Sequence, residues 1–151
     1  MSSSLRWPDA ILAGLACSMR SSAGPALLAA RGRISGTPRI LVLLMAAGEL
    51  VADKMPATPD RTDPPGVAGR VASGAYTGHR IAGVPGAIAA AASAAVGTFA
   101  THRARELAVQ TTGLPDPVVA VGEDLLALTA ATVATRPPPT PRRWSGRRWK
   151  T

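Results

Sequence analysis

The sequence predicts an all-α integral membrane protein, with about four transmembrane helices plus a broken or re-entrant helical segment at the N-terminus. Three observations carry this. The chain is 46% hydrophobic but only 3% aromatic, with Ala, Gly and Val where a water-soluble core would hold Phe, Tyr and Trp. Ala82 to Thr101 runs without a charge, close to the length that crosses the hydrocarbon of a bilayer. Prolines and charged stretches bound the other apolar runs.

Taken in order, residues 1–8 form a short leader, 9–135 a helical membrane domain and 136–151 a tail. Within residues 9–31 the apolar pieces Ala10 to Cys17 and Ala26 to Ala30 are each too short to span, and Met19 to Pro25 separates them. A re-entrant or broken hairpin accounts for both. Ile40 to Met55 is a helix with Pro38 and Pro56 just outside its ends. Residues 56–65 combine turn formers with charge and form a loop or cap.

A short helix from Gly66 to Arg80 carries Gly74 and Gly78 at a spacing of four. Ala82 to Thr101 is the clearest span, and Gly86, Ala90 and Ala94 give it a small-residue stripe for close helix packing. His102 to Asp116 reads as a polar connector, and a last helix runs from Val118 to Thr135. The tail opens with Pro137-Pro138-Pro139, has nothing to bury and should be disordered.

The net charge of +8 falls to about +2 when the six basic residues of the tail, Arg136 to Lys150, are set aside. Nucleic acid is therefore a disfavoured partner. The expected partners are the bilayer, anionic lipid head groups at the C-terminal tail and a second copy of the chain. Alternating the segments with the tail in the cytoplasm also puts Arg31, Arg33, Arg39 and Arg80 inside, as the bias of positive loops requires. This favours a bacterial inner membrane with a cytoplasmic C-terminus. Cys17 is the only cysteine and excludes an internal disulfide, and a cleaved signal peptide is disfavoured because similar composition continues throughout.

Four carboxylates stand in apolar stretches, Glu49 and Asp53 in one and Glu123 and Asp124 in another. A charge at membrane depth costs several kcal/mol, so such acids face protein or a wet cavity. Glu49 and Asp53, four apart, share a helical face. Arg20 and Arg70 are their expected charge partners. Two readings follow: a transporter-like or channel-like protein with a polar path for an ion or proton, or a structural protein whose acids only pair with arginines. No nucleophile with a base at a recognisable spacing and no Gly-rich phosphate loop is present, so neither catalysis nor a cofactor is expected. His79 and His102 fall at segment ends, and no metal site is expected.

Gly14 to Arg20, the stretch Gly48-Glu49-Leu50-Val51-Ala52-Asp53-Lys54-Met55-Pro56, then Pro59-Asp60-Arg61 and Pro65, follow one another in a distinctive order. Gly69-Arg70, Ser73-Gly74-Ala75, Gly113-Leu114-Pro115-Asp116 and Glu123-Asp124 continue it. Over about residues 10–135 this order resembles the family of small bacterial membrane proteins known as domain of unknown function 4126. The resemblance implies a helical membrane fold of uncharacterised activity. The tail lies outside it.

Overall fold

The protein, described by a computed structural model over residues 6–52 and 62–137, consists of five helical elements with no strand among the described residues. They are α1 (Trp7–Met19), α2 (Ala23–Ala30), α3 (Thr37–Ala52), α4 (Pro64–Thr112) and α5 (Asp116–Ala134). Asp53, residues 56–61 of the expected loop, most of the leader and the tail from residue 138 lie outside the described residues.

The expected break in the first segment is present. Pro8 in the first turn of α1 and Asp9 beside it suit a helix start, where a missing N–H costs little and a negative charge is favoured. Arg20 turns extended and ends the helix. The chain resumes as α2 at Ala23, bent by 116° from α1. Pro25 falls within the first turn of α2, where it breaks no helical hydrogen bond.

The 49 residues of α4 are a helical hairpin. Ala82 (φ −140°, ψ 21°) and Gly83 (φ 67°, ψ −153°) leave helical geometry, and Gly83 adopts a conformation essentially restricted to glycine. The halves, α4a (64–81) and α4b (84–112), lie back to back. A β-carbon on Gly74 would sit 3.0 Å from the Ala94 Cβ, and one on Gly78 would collide with the Gly86 carbonyl. In a straight helix residues 74 and 94 would be roughly 30 Å apart.

α4b runs past Thr101 to Thr112, through the stretch expected to be a connector. His102, Arg103 and Glu106 pair at helical spacing, with Arg103 to Glu106 at 2.9 Å, and polar residues of good propensity sustain the helix there. Gly113, at φ 66°, ends it, and Pro115 directs the chain into α5.

α1 is the hub. Gly14 lies so close to the Ala90 carbonyl that no side chain fits between them. Ser93 donates to the Ile11 carbonyl at 2.8 Å, and a β-carbon on Gly97 would meet the Ser18 Oγ at 2.6 Å. Ala16 and Ala23 pack on Ala131 of α5, and Ala13 on Ile81 and Ala134. Leu28 and Ala29 of α2 pack with Ile34 against Val42 of α3.

This core is made of small residues, with Leu28 the largest side chain fully buried among the described residues. The large apolar side chains point outward: Leu44, Met45, Ile88, Val96, Leu125 and Leu126 are each more than 60% exposed. For a protein in water that distribution is inverted, whereas lipid supplies apolar contacts to the outer face and leaves the interior to close backbone packing. Two helices, α4 and α5, are long and apolar enough to cross a membrane, and a third span arises if the bent pair α1–α2 counts as one.

The packing yields a prediction. Ala90 is fully buried between Gly14, Gly74 and Gly78, while Val96 is 71% exposed. Ala90→Leu should force α1 and α4a off α4b at a cost of roughly 3 kcal/mol, the upper part of the range for overpacking. Val96→Leu should be neutral. Thermal unfolding of both variants in detergent measures the difference, and equal midpoints would refute the packing.

Candidate functional site

The helix directions bring three charged side chains to a common level. α1 begins and α2, α4a and α5 end at one end of the molecule, marked by Arg6, Arg31, Arg80 and Arg136. Thr37, at the start of α3, follows α2 across the short turn containing Gly32 and Gly36. Arg20, Glu49 and Asp124 lie thirteen, twelve and ten residues along their helices from that end. At 1.5 Å per residue this puts all three roughly 15–20 Å in.

Glu49 projects from α3 onto the break between α1 and α2. Its Oε1 accepts from the backbone N–H of Ser21 at 2.9 Å and from the Ser21 hydroxyl at 2.6 Å. Its Oε2 accepts from the Ser22 N–H at 2.9 Å and from the Ser22 hydroxyl. One carboxylate thus takes four donors, two of them backbone N–H groups freed where α1 ends and α2 begins. The negative charge also stands at the positive end of the α2 dipole. A neutral side chain offers no equivalent, because an amide has a single acceptor oxygen.

Arg20 turns the other way and reaches α5. Its Nε and Nη2 donate to Asp124 Oδ1 at 3.0 and 2.6 Å, tying the break to the last helix. A cavity of about 140 Å³ lies beside this pair, lined by Ser22, Ala23, Ala26, Ala46 and Leu128 as well as Arg20 and Asp124.

The remaining sequence candidates lie elsewhere. Glu123 points from α5 to Arg105, 3.3 Å away, which also holds Asp116 at 2.6 Å, so this cluster braces the far end of α4b against α5. Arg70 donates to the Ser18 carbonyl at 3.1 Å, at the end of α1, and to the Gly66 carbonyl. Asp53 is outside the described residues. Gly74, Gly78, Gly86, Ala90 and Ala94 form the hairpin seam. Among the described residues no three Asp, Glu, His or Cys side chains gather as a metal cage would require.

Sequence reasoning missed Ser21, Ser22 and Arg105. The two serines stand in a broken apolar segment where hydroxyls and freed N–H groups need an acceptor, and that requirement was readable. Arg105 falls in the stretch that reads as a connector, and only the continuation of α4b carries it to α5.

The chain matches no family model, no curated protein and no solved structure.

The Arg20–Asp124 pair is testable by a double-mutant cycle. Asp124→Asn should remove one charged partner from the Arg20 guanidinium at a partly buried site and cost on the order of 1–2 kcal/mol. Arg20→Gln with Asp124→Asn should recover more than half of that. Additive losses would show that the two side chains do not act together.

Proposed function

We propose that the chain is a multi-pass membrane scaffold whose central task is to hold a re-entrant helical pair, α1–α2, inside a bundle of four crossings. The crossings are α3, α4a, α4b and α5. The observation that carries this reading is the carboxylate of Glu49, fully engaged by Ser21 and Ser22 at the tip of the re-entrant pair. Asp124 with Arg20 and Glu123 with Arg105 support it, since each acid has a cationic partner on another helix.

The same reading places the chain in a bacterial inner membrane with the C-terminus cytoplasmic. Support comes from the gathering of Arg6, Arg31, Arg80 and Arg136 at one end, as positive cytoplasmic segments would be. Membership beside domain of unknown function 4126 belongs to the same proposal, resting on the motif order. Expressed protein should stay in the membrane pellet through an alkaline wash and leave it only with detergent. Recovery as a soluble monomer would end the proposal.

A second reading starts from the cavity beside Arg20 and Asp124, whose exposed lining is mainly apolar. There the polar level is a transporter-like or channel-like path, as at broken helices near the membrane midplane. Glu49→Gln separates the two. On the scaffold reading the variant loses acceptors for donors already in place and unfolds several degrees earlier, with a loss of roughly 2–3 kcal/mol. On the transport reading it folds normally but loses a pH- or ion-dependent flux in vesicles. A variant unchanged in both stability and flux would refute both.

A further inference from the structure

The arginine end holds more positive charge than the fold neutralises. Arg31 donates to the Thr132 carbonyl and the Thr135 hydroxyl, both at 2.9 Å. Arg33 donates to the Arg80 carbonyl at 2.7 Å, and Arg80 returns a bond to the Arg33 carbonyl. Arg6 reaches the Arg136 carbonyl at 2.8 Å. Asp9 is the one carboxylate that these contacts bring in among the described residues, shared by Arg6 at 3.1 Å and Arg136 at 3.4 Å. Five guanidinium groups therefore meet one acid, and three of them are held by neutral oxygens.

Carbonyls position a guanidinium without cancelling its charge. Arg33 bears the consequence. Burial, and then the charges of Arg6, Arg80 and Arg31, hold its guanidinium below the ordinary arginine range. Its Nη1 is buried and has no hydrogen-bond partner among the described residues. A convergent set of arginines with an open buried donor matches a tetrahedral oxyanion with several acceptor oxygens, above all a phosphate.

The surroundings decide which phosphate. The cluster sits where α1, α4a and α5 meet the outside, bordered by the outward apolar side chains of Val84, Ile88 and Val133. Trp7, half exposed beside Arg6, stands where tryptophans mark the membrane–water boundary. A ligand held here has its phosphate at the arginines and apolar surface directly below. We propose that the arginine end, centred on Arg33 and Arg80, is a binding site for the phosphodiester head group of an anionic phospholipid. It takes only Arg136 from the tail and none of the basic residues from Arg142 onward, and it rests on the membrane placement proposed above but not on the scaffold role.

Trp7 supplies the readout. In the full chain carrying Trp144→Phe and Trp149→Phe, Trp7 is the sole tryptophan, and lipids brominated on their acyl chains quench it on contact. In mixed micelles, brominated phosphatidylglycerol should reach half-maximal quenching at a mole fraction roughly tenfold below that of brominated phosphatidylcholine. Arg33→Gln with Arg80→Gln should remove the preference. Arg142, Arg143, Arg147 and Arg148 changed together to Gln should keep it.

Equal quenching by the two lipids in the unmodified cluster overturns the site, whatever the folding of the variants. Loss of the preference with the tail arginines alone assigns it to the tail and also overturns the site. Abolition by millimolar inorganic phosphate would mean a free anion rather than a lipid is the ligand. Absence of quenching by either lipid would defeat the membrane placement as well.

Discussion

Everything in this fold depends on backbones touching at positions that have almost no side chain. Gly14 lies against the Ala90 carbonyl, Gly78 against Gly86, and Gly74 against Ala90 and Ala94, so α1 and the two halves of α4 meet with nothing between them. Contact this close gains dispersion over the full helix length and requires no burial of large apolar surface. It also fixes the hairpin, because only Gly83 permits the reversal that brings residues 74–78 onto 86–94.

Because the interior is filled by Ala, Gly, Ser and Thr, the large apolar residues have nowhere to go but out. Leu41, Leu44, Val121 and Leu125 lie on the surface, and Thr77 and Thr98 are fully buried. The buried hydroxyls satisfy themselves within their own helices, each donating at 2.8 Å to the carbonyl four residues earlier. The core therefore carries polarity at little cost, and the outer surface is suited to hydrocarbon. An outer surface of this kind is one that hydrocarbon or another protein surface would cover.

Charge is sorted along the same axis. At the middle level the ionised groups are engaged: Glu49 by four donors, Asp124 by Arg20. At the far end Arg105 binds two acids. At the near end arginines accumulate around Asp9 and lean on carbonyls. The buried middle level is satisfied by hydrogen bonds and an ion pair, whereas the near end gathers five guanidinium groups around Asp9 among the described residues.

The helical class, the break near Arg20, the helix starting near Pro38, the small-residue stripe through Gly86, Ala90 and Ala94 and the conspicuous acids were all legible in the sequence. Each is a local property: residue size, spacing along one helix, or a proline at a boundary. Tertiary structure decided what no spacing reveals. Glu49 finds Ser21 and Ser22 because α3 lies beside the break, across 28 and 27 residues of chain. Asp124 rather than Glu123 finds Arg20 because the two acids point about 100° apart on α5 and only one faces α1. Helix continuation through His102 to Thr112 was hidden because polarity resembles a loop, while the pairs at i+3 and i+4 that favour it form only once the helix exists. The sequence by itself thus determined the class and most of the helices, and the tertiary structure alone decided which charges meet, since that depends on how helices cross rather than on what any one of them contains.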